Sequence, residues 1–347
     1  MKGLLKYLSP FAPDQSGAVS VFYELGGIIV ICDAGGCTGN ICGFDEPRWF
    51  QERSAIFSAG LRDMDAILGR DDRLVEKLKD AAKYLNKEFA LIIGTPVPAV
   101  IATDMKAMKR MATKRCGMPV MSIETIGTRL YDRGAQDAYM ELFQTYVEDT
   151  QEKSSKTGIL GCIPLDISVL DPKAYIQEED YYCYGMGDGL EAIKRAGSVE
   201  RNIVVSPASY KLAVYLQKRF GTPFSIEYPF LPDSFEEELN NIKDKKVLVL
   251  HQQVAAHEIR NLLRKNGCDV TIGTWFMEIP ELKEAQDLHF EKENTFIETV
   301  LKNEYDVIIG DPAFKRALKG FTGKYIELAH FAVSGKFADA SQNALWK

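Results

Sequence analysis

Residues 28–43 of this 347-residue chain read Ile-Ile-Val-Ile-Cys-Asp-Ala-Gly-Gly-Cys-Thr-Gly-Asn-Ile-Cys-Gly. A continuous run of β-branched apolar residues is typical of a strand buried on both faces of a parallel sheet. This run passes directly into a glycine-rich loop that carries three thiols, those of Cys32, Cys37 and Cys42. Ligands of open α/β sheets bind at the carboxyl ends of strands. The stretch therefore predicts an α/β fold with a ligand site where this strand ends.

The rest of the chain alternates short runs rich in Val and Ile with amphipathic, charged stretches, which is the pattern of βαβ units. Strands are predicted at residues 27–31, 89–93, 119–123, 157–160, 202–205, 247–250, 269–272 and 306–309. Helices are predicted at residues 72–86, 135–152, 210–220, 254–266 and 291–303. We therefore predict an α/β chain of Rossmann-like lobes whose sheets are mainly parallel.

Two stretches poor in apolar residues divide the chain, one near residues 151–157 and one near residues 232–246. They predict three α/β lobes. The first covers residues 1–155 and holds the cysteine-rich loop, the second covers 156–236, and the third covers 237–347. The sequence equally allows the last two lobes to form one.

Composition excludes several classes of partner. The net charge is −7, so no basic field attracts nucleic acid or an anionic membrane surface. The chain contains no run of about 18 apolar residues, so the sequence predicts no membrane-spanning helix. The amino-terminal residues are broken by Pro10 and Pro13 and do not resemble a signal peptide. We therefore expect a cytoplasmic protein that binds neither nucleic acid nor membrane.

The cysteines predict metal binding. Their number is odd, at 7, in a long chain of a reducing compartment, which argues against a disulfide framework. Thiolates at a sheet edge suit Fe–S clusters, zinc or copper(I), and neighbouring glycines let the backbone approach a bulky cluster. The spacing of Cys32, Cys37 and Cys42 differs from that of zinc fingers and of bacterial ferredoxins. Closing a four-coordinate site would need a fourth ligand or a second subunit.

Two alternatives to a metal site remain open for this loop. The thiols could be small buried residues that fill space beside the glycines, because free cysteine is often buried. Gly36 and Gly39 could instead form part of a phosphate-binding loop. The full Gly-x-Gly-x-x-Gly pattern and the Gly-Lys-Ser/Thr pattern are both absent from it.

Outside the cysteines, six residues are candidates for contacts with a substrate or a partner: Asp14, Gln15, Asp45, Arg48, Trp49 and Arg129. Arginine and tryptophan are enriched at the centres of interfaces, and a guanidinium group suits a carboxylate-bearing substrate. Each candidate also has a structural interpretation. The acidic residues could cap or begin helices, and Arg129 could form an ion pair between lobes.

Several motifs, taken in order, resemble the nitrogenase component 1 type oxidoreductases, which include the dark-operative protochlorophyllide reductase subunits and the reductase of coenzyme F430 synthesis. The segment Asp14-Gln15-Ser16-Gly17-Ala18 resembles the family's opening helix, and Cys32-Asp33-Ala34-Gly35-Gly36-Cys37 resembles its first strand and loop. Residues 94–104 and 117–127 resemble its next two strand ends. Looser similarity continues through the second and third lobes.

The resemblance implies a three-lobed fold and an Fe–S cluster, [4Fe-4S] or larger, shared between subunits. Cys37 falls on one of the family's cluster cysteines, whereas Pro13 and Pro96 stand at two others. Our hypothesis is that Cys32, Cys37 and Cys42 rebuild the site in a homodimer or with a paralogous subunit.

The function implied by the resemblance is that of a reductase component. It would receive electrons from an iron-protein ATPase and reduce a small molecule bound between lobes. Two alternatives stay open. One is a non-catalytic cluster carrier or assembly scaffold, and the other is a cluster-free protein on the same fold that binds small molecules or metals.

Overall fold

A computed structural model describes residues 5–51, 53–150, 152–176, 180–338 and 341. Its strands are β1 (Ile28–Ile31), β2 (Ala55–Ser58), β3 (Ala90–Ile93), β4 (Val120–Ile123), β5 (Thr157–Leu160), β6 (Tyr181–Cys183), β7 (Arg201–Val204), β8 (Phe224–Ile226), β9 (Lys246–Leu250), β10 (Asp269–Thr274), β11 (Leu288–His289), β12 (Val307–Gly310) and β13 (Lys324–Glu327). Every predicted strand is present.

The strands form three sheets, with the orders β2-β1-β3-β4, β6-β5-β7-β8 and β11-β10-β9-β12-β13. In the first sheet, β1 pairs in parallel with β2 and β3, and β3 pairs in parallel with β4. All four residues of β1 are buried, as its apolar run predicted. The predicted α/β class with parallel sheets is confirmed. Edge strands such as β2 and β13 were missed, because their half-exposed residues lack a continuous apolar run.

The helices are α1 (Asp14–Phe22), α2 (Gly36–Asn40), α3 (Asp63–Leu68), α4 (Asp71–Tyr84), α5 (Pro96–Val100), α6 (Met105–Cys116), α7 (Tyr131–Tyr146), α8 (Pro164–Ile167), α9 (Leu190–Lys194), α10 (Pro207–Phe220), α11 (Asp233–Asn240), α12 (Gln253–Lys265), α13 (Glu293–Lys302), α14 (Pro312–Lys315) and α15 (Phe331–Ser334). The helix predicted at 135–152 ends earlier, at Tyr146. Val147 is already extended, and the acidic residues after it are unfavourable at a helix carboxyl end. No helix of the described chain is long and apolar enough to cross a membrane.

Two compact units emerge from the contacts within the chain. One comprises residues 12–154 and 182–199 and holds the first sheet. The other comprises residues 1–11, 155–181 and 200–347 and holds the third sheet and most of the second. Each predicted lobe contains one of the three sheets, and the division of the chain into three lobes remains a prediction.

In the unit that holds β1, helices α1 and α7 approach each other backbone to backbone. A Cβ atom added to Gly17 would lie 1.9 Å from the carbonyl oxygen of Tyr131, and one added to Gly134 would lie 1.8 Å from that of Asp14. Only glycine fits at these two positions. The contact fixes the start of α1, and with it Pro13, beside the segment that precedes α7.

The other unit encloses a pair of histidines. The rings of His251 and His330 stack with their centroids 4.4 Å apart, and both side chains are buried. The His251 ring lies 3.4 Å from the carbonyl oxygen of Ala329, and Phe276 packs edge-on against His330. Burial lowers the pKa of His251 to about 4 and holds the pKa of His330 well below its usual range.

We predict that Gly134→Ala lowers the free energy of unfolding by about 1–3 kcal/mol, because the added methyl group forces α1 and α7 apart. Urea unfolding monitored by circular dichroism measures this loss. Gly39→Ala is the matched control, because a Cβ there meets no atom within 4 Å. Equal stability of the two variants would contradict the backbone contact.

We also predict that acid lowers the contribution of the histidine pair to the free energy of unfolding. The rings are neutral in the folded chain and gain protons near pH 6.5 when unfolded, so their contribution is complete above that pH and declines below it towards pH 4. The cost of His251→Gln should therefore be about 1 kcal/mol smaller at pH 5.5 than at pH 7.5. The control is Val254→Ala, which changes a buried residue of the same unit that binds no proton; its cost should be the same at the two pH values.

Candidate functional site

The cysteine-rich loop begins where β1 ends, and the buried carboxylate of Asp33 fixes its shape. One oxygen of Asp33 accepts hydrogen bonds from the Thr38 hydroxyl at 3.0 Å and the Ser58 hydroxyl at 2.6 Å, and the other accepts from the Thr38 backbone N–H at 2.7 Å. These bonds tie the loop to α2 and to the neighbouring strand β2. Hydrogen bonds within the chain therefore hold the loop in place.

Cys32 lies apart from the other two cysteines. Its side chain is 1% exposed and belongs to an apolar cluster with Val30, Ile92 and Leu74, so it points into the core between the sheet and α4. Burial, with the nearby carboxylates of Asp71 and Asp33, raises the pKa of its thiol to about 12. At neutral pH this thiol is protonated and enclosed by apolar neighbours.

Cys37 and Cys42 are both half-buried. Cys37 lies in α2, and Cys42 lies in the π-helical turn Ile41–Asp45 that continues it. Burial and Asp33 raise the pKa of the Cys37 thiol, against a hydrogen bond with Thr95 that lowers it. Burial and Glu46 raise the pKa of Cys42 to about 11. Both thiols are reachable from solvent, and both are mainly protonated at neutral pH.

The segments that carry Pro13, Cys37 and Pro96 meet at the carboxyl edge of the first sheet. Thr95, which bonds with Cys37, directly precedes Pro96 and donates a 2.7 Å hydrogen bond to the Cys32 carbonyl oxygen. Pro13 forms a β-bridge with Leu130. The edge thus gathers the three positions at which the resemblance expects cluster cysteines, and one of them is a thiol.

Gln15 points its amide oxygen towards this edge. A Cβ added to Gly127 would lie 2.4 Å from Pro96 Cγ and 3.5 Å from Gln15 Oε1. The Gln15 side chain is 5% exposed, and its Oε1 has no hydrogen-bond partner among the described residues. A buried acceptor without a donor is costly, so this oxygen marks a place where a donor or a cation would be stabilised.

The carboxylate of Asp14 holds the loop that follows β4. It accepts hydrogen bonds from the backbone N–H groups of Ile126 at 3.0 Å and Gly127 at 2.8 Å, and from Arg129 Nε at 2.9 Å. Its side chain is fully buried, whereas that of Arg129 is 36% exposed. Asp14 therefore positions the loop, and Arg129 keeps part of its guanidinium group at the surface.

Asp45 closes the far end of the cysteine loop. Its Oδ2 accepts hydrogen bonds of 2.6 Å from both the Ser16 hydroxyl and the Asn40 side-chain amide. Burial raises its pKa to about 6, although the bond with Ser16 lowers it. Asp45 thus joins the cysteine loop to α1 by hydrogen bonds that depend on its charge.

Arg48 is enclosed and not presented to a substrate or partner. Its side chain is 1% exposed and pairs with Glu46 at 2.7 Å. It also donates to the carbonyl oxygens of Ser20 at 2.6 Å and Gly185 at 2.8 Å. Because this ion pair and these hydrogen bonds surround the buried guanidinium group, Arg48 has a structural role. Trp49 is half-buried, and its carbonyl oxygen accepts a 2.8 Å bond from Tyr23.

The described residues contain no group of three or more His, Cys, Asp or Glu side chains that could hold one metal ion. The three thiols of the loop are thus not brought together within one chain. Cys37 and Cys42 offer soft donors on an accessible loop, and these fit part of an Fe–S ligand set. One chain does not complete that set, and ligation by all three cysteines remains a prediction.

Comparison with known proteins identifies the family of this chain. The family described as nitrogenase component 1 type oxidoreductase matches residues 14–242. The chain belongs to this family. The solved structure "Nitrogenase Cp1 at pH 6.5" superimposes with a TM-score of 0.70, covering 95% of this chain and 87% of that one at 14% identity. That likeness establishes the fold.

The curated relatives of this family member include nitrogenase iron-molybdenum cofactor biosynthesis proteins named NifE. The protein from Clostridium pasteurianum is 23% identical in an alignment 274 residues long, which covers 73% of this chain and 60% of the relative. The protein from Methanococcus maripaludis is 22% identical in an alignment 220 residues long, which covers 59% of this chain and 45% of the relative. The chain therefore spans only part of these relatives' length.

Two residues of the site were not among the candidates chosen from the sequence. Thr95 reaches both Cys37 and the end of β1, and Asp33 sets the loop. The sequence did contain a signal for both residues. Asp33 and Thr95 each lie two residues after the end of a parallel strand, at the edge of the sheet where ligands bind. An aspartate that accepts several hydrogen bonds in a glycine-rich loop is a structural requirement that spacing alone does not reveal.

Differential labelling of the thiols tests this geometry. We expect iodoacetamide to modify Cys37 and Cys42 in the folded chain, with rates that rise about tenfold per pH unit from pH 7 to pH 9, because the thiolate is the reactive form. Cys32 should react only after denaturation, because its thiol is buried. Peptide mass spectrometry measures each site separately. Labelling of Cys32 at the rate of Cys37 would contradict the placement described here.

Proposed function

We propose that this protein carries or assembles a metal–sulfur cluster as cargo, together with a partner subunit. The observation that carries the proposal is the composition of the edge where Pro13, Cys37 and Pro96 meet. Cys37 is the one thiol at the three family positions. A cluster bound there would take thiolates from Cys37 and from Cys42 on the same loop, and its remaining ligands from a partner.

Incomplete ligation favours transfer over permanent binding. A resident electron-transfer cluster of the [4Fe-4S] type takes four cysteine ligands. Here Cys37 and Cys42 must lose protons to bind, because the pKa of each thiol is raised. Metal binding that displaces protons is weakened at lower pH. Weak, partial ligation suits a protein that receives a cluster and passes it on.

The loop leaves room for a bulky cargo or for a partner's ligands. Cβ atoms added to Gly36, Gly39 and Gly43 would meet nothing within 4 Å. Side chains on these residues would occupy that space, whereas glycine keeps it open.

The name of the relatives supports the same class of function. The two NifE proteins are described as taking part in nitrogenase cofactor biosynthesis. Cargo handling by this chain would need a partner that completes the ligand set, either a second copy or a paralogous subunit. The side chain of Gln15 would face that shared site, with Arg129 at its rim.

A reductase is the second candidate, and the matched family's description as an oxidoreductase favours it. In that case an iron-protein ATPase would deliver electrons to a permanently held cluster. The two candidates differ in how long the cluster stays. A carrier releases it intact to an acceptor, whereas a reductase retains it through many electron transfers.

Anaerobic reconstitution with iron and sulfide tests the proposal. We expect about four irons per dimer in the wild type, and at least a twofold loss of bound iron in Cys37→Ser. Cys116→Ser is the matched control, because Cys116 is equally half-buried but lies at the end of α6. Transfer of the intact cluster to an apo-ferredoxin within minutes would favour the carrier, and retention would favour the reductase. If no iron binds, or if both variants bind as the wild type does, the proposal is wrong.

A further inference from the structure

The outer side of β4 is a free sheet edge. β4 is the last strand of the first sheet, and among the described residues no strand pairs with its outer side. The backbone N–H groups of Ala90 and Gly94 bond to the carbonyl oxygens of Pro119 and Ile123. Because successive residues of a strand direct their backbone groups to opposite sides, the N–H and C=O of Ser122 point outwards.

A groove of about 560 Å³ lies at this edge and is lined by Ser122 and Ile123 of β4. Its two walls carry opposite charges. The α6 wall carries three cations, and the α7 side with the end of β4 carries three carboxylates: Lys106, Lys109 and Arg110 against Glu124, Asp137 and Glu141. Asp137 Oδ2 also lies 3.7 Å from Arg129 Nη1, which partly neutralises the anionic wall.

The walls belong to opposite faces of the sheet. Met105, Met108 and Ala112 of α6 pack in the apolar cluster that contains Val30 and Val120. Among the described residues, none of α7 belongs to this apolar cluster. Instead, α7 packs with α1 on the other face of the first sheet. A chain lying along β4 would therefore have the cationic wall on one side and the anionic wall on the other.

We propose that the free edge of β4 binds an extended segment of a partner protein in which acidic and basic side chains alternate. Side chains of a strand point alternately to the two faces of its sheet. A segment added beside β4 would thus place its acidic side chains against α6 and its basic ones against α7. Backbone hydrogen bonds to Ser122 would supply affinity, and the charges would set specificity.

One ion pair now bridges the walls. Lys109 Nζ lies 2.5 Å from Glu141 Oε1, with these side chains 37% and 25% exposed. A pair this exposed contributes little to stability. An incoming segment replaces it with two pairs, one on each wall, so the bridge does not close the groove to the ligand.

Fluorescence anisotropy with two labelled peptides tests the proposal on the full chain. One peptide alternates glutamate and lysine, and the other has the same composition with all glutamates before all lysines. We expect the alternating peptide to bind about tenfold more tightly than the block peptide. Equal affinity for the two peptides, or no binding of either, would overturn the proposal.

Matched variants locate the binding. Lys106→Gln with Arg110→Gln removes two charges of the groove, whereas Lys114→Gln with Arg115→Gln removes two exposed charges of the same helix outside it. The first pair should weaken binding of the alternating peptide about tenfold, and the second should leave it within about twofold. An equal effect of both pairs would show attraction to α6 alone and overturn the proposal.

Amide hydrogen exchange distinguishes strand addition from surface adhesion. The Ser122 N–H should exchange at least tenfold more slowly when the alternating peptide is bound, because it then donates a hydrogen bond. An unchanged exchange rate at Ser122 with saturating peptide would overturn the proposal.

Discussion

The buried carboxylate of Asp14 organises the edge of the first sheet. It accepts hydrogen bonds from two backbone N–H groups of the loop after β4 and from Arg129, while the carbonyl of the same residue meets Gly134 of α7. A buried carboxylate is stable only when donors surround it. Satisfying this one charge therefore fixes the start of α1, the loop at Gly127 and the start of α7 together.

That constraint holds the edge together although Pro13 and Pro96 stand where the resemblance places two cluster cysteines. Pro13 forms a bridge with Leu130, and Pro96 begins α5 directly after Thr95, so the backbone already places both residues. The scaffold and the ligand set are therefore separable. A chain can retain the three-sheet fold of the family while its thiols change in number, which is why fold alone does not decide the activity.

Much of the fold could be predicted from the sequence because buried parallel strands are apolar throughout. The eight predicted strands correspond to the central strands and their neighbours, whereas edge strands such as β2 and β11 were missed. The helix α6 was also missed, since its apolar residues Met105, Met108 and Ala112 are few among lysines and arginines. The many charged residues obscure the helical periodicity of α6 in the sequence, although its three buried residues lie on one face of the helix.

The site was harder to predict than the fold, because a site depends on where each side chain points as well as on where the residue lies in the sequence. The sequence places Cys32, Cys37 and Cys42 within one loop, but it does not state that Cys32 still follows the alternation of β1. Val30 and Cys32 lie two residues apart, so both face the core. Cys37 and Cys42 come after the chain has left the strand, and their side chains are free of that alternation. If the alternation of side chains along β1 had been extended past Ile31, it would have distinguished the buried thiol of Cys32 from the accessible thiols of Cys37 and Cys42. Of the two accessible thiols, Cys37 is the one at a position where the resemblance expects a cluster cysteine, so a partner would have to supply ligands beside it.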